Sequence, residues 1–157
     1  MLEVKKIKLR TLLLTDLEFL QKIENDKNLW EYGGDRKKFT KKELTNYIEN
    51  SSEKIQNAKQ FRFVVDYNNI PVGFVDLFEY KDSGAEVGII IDKEYQKRGF
   101  ALESLRLLID YSLEELKLNN LHCKISKSNT RSIQLFISSG FTFTKEKDNV
   151  CFYTLTL

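Results

Sequence analysis

The 157-residue sequence predicts a mixed α/β fold: a central twisted sheet of about seven strands with helices on both faces. Three observations carry that expectation. Strand-like and helix-like hydrophobic periods alternate along the chain in about eleven segments. One strand-like segment, Ala85 to Ile91, is apolar at nearly every position, which suits a strand covered on both faces. Between it and the longest helical segment lies the turn Gln96-Lys97-Arg98-Gly99-Phe100-Ala101. A glycine-containing turn that opens a helix leaves backbone N–H groups without intrahelical partners at the positive end of the helix dipole, a ready site for a phosphate. Lys97 and Arg98 add two full positive charges beside it.

The elements follow in order. Val4 to Arg10 alternates Ile7 and Leu9 with Lys6 and Lys8, as a half-buried strand does. Thr15-Asp16-Leu17-Glu18 reads as a capping box for a first helix from about Asp16 to Asn25. Leu29 to Asp35 loses the periodicity, and Gly33-Gly34 marks a flexible loop. A second box, Thr40-Lys41-Lys42-Glu43, starts a longer helix with Leu44, Tyr47, Ile48, Ser51 and Ile55 at helical spacing. The period then falls to two: Phe61, Phe63 and Val65, an Asn68-Asn69 turn, and Val72 to Tyr80 form a hairpin. Asp82-Ser83-Gly84 turns into the apolar strand. A helix over Leu102 to Leu118 follows the glycine turn, then a short strand, Leu121 to Ile125, and a last helix carrying Ile133, Phe136 and Ile137 and stopped by Gly140. Phe141 to Lys145 and Cys151 to Leu155 close the chain around Asp148-Asn149.

Length and composition fit a single domain over 1–157 with a sizeable core. One proline, Pro71, argues against long linkers, and a net charge of +2 implies no polyanionic partner, so nucleic acid is not expected. Two cysteines, Cys123 and Cys151, make neither a disulfide framework nor a metal-binding spacing. No window has the length and apolarity of a signal peptide or a membrane span. A reduced, cytoplasmic protein with no metal and no membrane association is the expectation.

Taken together, the order of elements and the residues from Glu86 to Phe141 resemble the GNAT superfamily of N-acetyltransferases. The matching pieces are the apolar strand, Gln96-x-x-Gly99-x-Ala101 opening a helix, a short strand, Asn129 with Ser132, and a helix ending Ser139-Gly140-Phe141. The resemblance implies a GNAT-like sheet splayed between its fourth and fifth strands. It implies that acetyl-CoA is the acetyl donor, its pyrophosphate held on the backbone of Gln96, Lys97, Arg98, Gly99, Phe100 and Ala101. The pantetheine arm would lie in the splay against Ile89 and Ile91, with Asn129 and Ser132 facing the cofactor. The implied reaction is direct attack of a primary amine on the thioester, which requires loss of the amine proton and stabilisation of an oxyanion. A backbone N–H at Ile89 is the oxyanion candidate. Glu86 is the general-base candidate, acting directly or through water; the competing reading is a salt-bridged carboxylate at a strand end.

One departure stands out. Phe136 occupies the place of a tyrosine that protonates the thiolate in many relatives, and phenylalanine has no proton to give. Packing against the pantetheine is its expected role. His122 and Tyr153 are weaker candidates for proton transfer, each also readable as a packed residue. Trp30, Glu31, Tyr32, Asp76 and Glu79 are weak candidates for the acceptor site. The layout is similar to that of the spermidine and diamine acetyltransferases, whereas Phe136 resembles the enzymes that acetylate ribosomal-protein N-termini. The acceptor is therefore expected to be a small di- or polyamine or a peptide N-terminus, and the alternative is a non-catalytic acyl-CoA-binding or interaction module. Exposed edge strands at Val4 to Arg10 or Phe141 to Lys145 are compatible with a monomer or a homodimer.

Overall fold

A computed structural model describes residues 7–26 and 38–157. The predicted loop with Trp30, Glu31, Tyr32 and the glycine pair lies outside the described residues, as does the start of the first predicted strand. Seven strands form one sheet: β1 (Ile7–Arg10), β2 (Phe61–Tyr67), β3 (Ile70–Lys81), β4 (Gly84–Ile91), β5 (Asn120–Ser126), β6 (Thr142–Lys147) and β7 (Val150–Thr156). Their order is β1-β2-β3-β4-β5-β7-β6, so β1 and β6 are the two edges. Every neighbouring pair is antiparallel except β4 and β5, which run parallel.

Three two-residue turns set the antiparallel register. Asn68-Asn69, Asp82-Ser83 and Asp148-Asn149 hold positive φ at both positions, between 51° and 70°. That is the hairpin turn whose twist matches the flanking strands, and Asn and Asp tolerate it best among residues with a side chain.

Helices cover both faces, as the double-sided apolarity of β4 requires. On one face α1 (Leu17–Glu24) and α2 (Lys41–Glu49) bury Leu20, Ile23, Leu44 and Ile48 against Val64 and Phe74. On the other, α4 (Phe100–Glu114) and α5 (Thr130–Ser138) bury Phe100, Leu105, Leu108 and Phe136 against Val75, Leu77, Val87 and Leu121. Each fully buried leucine contributes about 2 kcal/mol through the apolar surface it removes from water.

The two predicted capping boxes have different outcomes. Thr40 and Glu43 exchange backbone-to-side-chain hydrogen bonds at 3.1 Å each and start α2. Thr15 and Glu18 form no such pair. A 3-10 turn over Leu14–Asp16 precedes α1, and the Asp16 carboxylate accepts the Leu13 N–H at 2.8 Å while the Arg10 guanidinium clasps it at 2.8 Å. The predicted long helix through Ile55 is also divided. At its end Asn50 donates to the Asn46 carbonyl and Ser51 to the Ile48 carbonyl, so side chains satisfy the last helical acceptors. A separate α3 (Ile55–Ala58) follows, because Ile55 belongs to the opposite apolar cluster from Leu44 and Ile48.

Candidate functional site

The site begins where two strands part. β4 and β5 pair at Gly84 with Asn120, Ala85 with Leu121 and Glu86 with His122, and there the parallel ladder stops. Past that rung β4 stays on β3 to Ile91, while β5 stays on β7 to Ser126. The result is a fork whose two facing edges carry strand hydrogen-bonding groups without a strand between them.

At the mouth of the fork the chain makes the glycine turn. A 3-10 turn over Lys93–Tyr95 leads into Gln96, and Lys97 and Gly99 both take left-handed backbone conformations, at φ 62° and 84°. The alternation of hand turns successive N–H groups toward one concavity, an anion-binding arrangement that the start of α4 at Phe100 extends. Gln96 Nε2 donates to the Ile91 carbonyl at 2.9 Å and so ties the turn to the end of β4. The Arg98 guanidinium lies 5.4 Å over the Tyr95 ring and 5.2 Å over the Phe100 ring. Stacked there, it braces the turn from outside the groove.

A groove of about 250 Å³ lies between this turn, the end of β4 and the start of α5. Ile89 and Ile91 line its β4 wall, and Gln96, Lys97, Gly99, Phe100 and Ala101 its mouth. Asn129 and Ser132 line it from the start of α5, where Asn129 Oδ1 accepts the Ser132 N–H at 3.3 Å and caps the helix. The sequence reading missed Ile90, Tyr95, Leu102, Arg131 and Leu135, which also line the groove. The available signal was helical spacing: Leu135 stands three residues beyond Ser132. Phe136, one position further, is 3% exposed and meets the Phe141 ring edge-on at 5.0 Å in the core, not in the groove. These features suit acetyl-CoA: a phosphate cradle with Lys97 and Arg131 at the mouth, then an apolar lane edged by strand groups for an extended amide-bearing arm.

Glu86 marks the closed end of the fork. Its side chain is only 13% exposed, and Lys124 Nζ lies 3.9 Å from it. Burial pushes the Glu86 carboxyl up; Lys124 and His122 pull it down, Glu79 adds to the rise, and the net direction is upward. Across the rung, His122 Nδ1 lies 3.1 Å from Thr154 Oγ1. Tyr153 is 5% exposed and stacks edge-on with Phe143 at 5.8 Å, a packed position.

The weak acceptor candidates separate. Asp76 is clasped by Arg62 through Nε at 2.6 Å and Nη2 at 2.7 Å, and Arg62 also bonds Glu24. The guanidinium lies 4.6 Å over the Phe74 ring. Burial opposes its charge, and Asp76 and Glu24 hold it charged nonetheless. Glu79 stands at a bulge in β3 with φ 48°, and its carboxylate reaches Lys124 at 3.7 Å. Among the described residues no cluster of His, Cys, Asp and Glu could hold a metal ion, and no helix is long and apolar enough to cross a membrane.

Comparison with known proteins agrees with this geometry. The family model for the acetyltransferase (GNAT) domain matches residues 6–142. The chain is 29% identical over 138 residues to the spermidine N(1)-acetyltransferase of Escherichia coli K12, covering 87% of this chain and 73% of that protein. It is 30% identical over 139 residues to the spermidine N(1)-acetyltransferase of Vibrio cholerae, covering 87% and 79%. The crystal structure of the Vibrio cholerae spermidine N-acetyltransferase in complex with CoA and spermine superposes with a TM-score of 0.84 at 25% identity, covering 96% of this chain and 95% of that one.

Proposed function

The chain belongs to the GNAT family of acetyltransferases and is an N-acetyltransferase that uses acetyl-CoA, and from this premise we propose that it acetylates a primary amine of a small, polyamine-like acceptor entering beside Glu86. Acetyl-CoA, when bound, supplies the acetyl group as a thioester. The turn from Gln96 to Ala101 holds phosphate on backbone N–H groups, with Lys97 adding charge. The β4 edge at Ile89 and Ile91 orients the extended arm, and the Ile89 N–H faces the position where negative charge develops on the acetyl oxygen.

Glu86 takes the proton from the attacking amine. Its raised pKa suits that task, because a base works best when its proton affinity lies near the working pH. Phe136 has no proton to return to the departing sulfur, so another group or water supplies that proton, or the sulfur leaves as a thiolate. The cytoplasm is the proposed compartment, in keeping with two buried free cysteines.

The observation that carries the reading is the fork that ends on Glu86. The polyamine class rests on the named activities of the relatives and on the carboxylates of Glu79 and Glu86 beside the reacting end. Thermal melts with acetyl-CoA, followed by thiol release with spermidine, a monoamine and a short peptide, test it. Stabilisation by the cofactor and release with the small amines are expected. Release with the peptide alone would move the acceptor to protein N-termini. Stabilisation without any turnover would instead favour the non-catalytic module.

A further inference from the structure

The open face beside the fork carries a charge arrangement that acetyl transfer by itself does not explain. Glu86 comes from β4, Glu79 arrives through the bulge in β3, and Lys124 comes from β5. Lys124 Nζ stands 3.7 Å from Glu79 Oε2 and 3.9 Å from Glu86 Oε1. Both separations exceed the about 2.7–2.9 Å of a direct ammonium–carboxylate hydrogen bond, so the ammonium sits between two carboxylates without being locked to either. Its side chain is 48% exposed. The Phe152 ring lies 5.9 Å from Lys124 Nζ, and Lys145 Nζ lies 4.9 Å from the same ring. The third carboxylate of this face, Asp76, is already clasped by Arg62.

A di- or polyamine reacts through one uncharged nitrogen while its other nitrogens remain ammonium ions. Those ions need matching negative charge near the reacting end. Among the described residues Glu79 and Glu86 are carboxylates positioned to supply it, and an ammonium of the protein's own already stands between them.

We propose that Lys124 is a specificity-determining residue: a tethered ammonium that occupies the place of a polyamine's next cationic nitrogen. The enzyme then favours acceptors with fewer positive charges than the carboxylate pair alone would admit. This inference rests on the acceptor reading above. Glu86 is faced by Glu79 from β3 and by His122 and Lys124 from β5, so replacing Lys124 also alters the proton affinity of Glu86. That effect is common to every acceptor and cancels in a ratio of two.

The experiment measures kcat/KM for spermidine and for butylamine at saturating acetyl-CoA, in the unaltered chain, Lys124→Met and Lys124→Arg. In Lys124→Met the spermidine-to-butylamine ratio should rise by about three- to tenfold, the range that one or two partly exposed ion pairs supply. The gain should appear in KM and shrink as salt is added. Lys124→Arg keeps the charge and should keep the original ratio. An unchanged or lower ratio in Lys124→Met overturns the proposal. An equal rise in Lys124→Arg also overturns it, because side-chain shape and not charge would then be responsible. If the unaltered chain acetylates neither amine, the acceptor reading falls first and takes this inference with it.

Discussion

Glu86 occupies the last rung that β4 and β5 share, and that position governs how its carboxyl titrates. Enclosure by the sheet raises its proton affinity, and Lys124 and His122 only partly offset the rise. As the proposed base Glu86 must be deprotonated to act, so activity should fall as pH drops through this raised pKa, with the acid limb above the ordinary carboxylate value of 4.5. Glu86→Gln should lower kcat/KM by about a hundredfold or more and abolish that limb, which a pH profile of both proteins would show. The candidate was visible in the sequence as the one acidic residue within an apolar strand. Its partners were not. A two-residue turn at Asn68-Asn69 in plain register would place Arg62 opposite Val75. The bulge at Val65/Asp66 shifts the pairing by one, so Arg62 meets Asp76 on the same face and removes that carboxylate from the acceptor site. Bulges leave little trace in a hydrophobic pattern, and the second one, which carries Glu79, was equally silent.

At the scale of elements, the glycine turn depends on Gly99 at φ 84°, a conformation that costs a side chain about 1–2 kcal/mol. Gly99→Val should therefore distort the cradle: the KM for acetyl-CoA should rise and the thermal shift on adding cofactor should shrink, while the amine KM moves far less. Melts and steady-state kinetics on the two proteins check this. The turn was legible because glycine, cations and a helix start coincide in six residues. The hairpin turns were legible for a similar reason, since all but Ser83 of their central residues are Asn or Asp, which tolerate positive φ. The first helix start was misread because Asp16 is engaged by its near neighbours Arg10 and Leu13, and that local clasp competes with the Thr15–Glu18 capping signal. Phe136 against Leu135 shows the same limit: helical spacing narrows the groove-facing residue to neighbours, and packing against Phe141 makes the choice.

For the molecule as a whole, the sheet separates two apolar clusters, and Arg62 is the ionic clamp that joins α1 to β3 through Glu24 and Asp76. Arg62→Ala takes away the cation that clasps the Asp76 carboxylate and bridges it to Glu24. It should lower stability by about 3 kcal/mol, read as a lower urea midpoint at an unchanged slope. The global order of strands and helices followed from the alternation of periods, and so did the turn proposed to hold the cofactor, because a phosphate is recognised by backbone geometry that glycine and helix starts announce. The proposed acceptor side did not, because it draws on side chains from separate strands whose charges are set by pairings a linear reading does not contain.

The fork also fixes a distance. Between the end of β4 at Ile91, where Gln96 anchors the turn, and Glu86 at the closed rung lie roughly 16 Å of strand at about 3.3 Å per residue. One end of that lane is held by a hydrogen bond and the other by a strand pair, so its length does not adjust to what enters it. On the proposed reading the lane is therefore a ruler: the acyl group comes to rest at Ile89, two residues in from the anchored end, and roughly 10 Å of strand separates it from Glu86, an interval that the acceptor or a water spans.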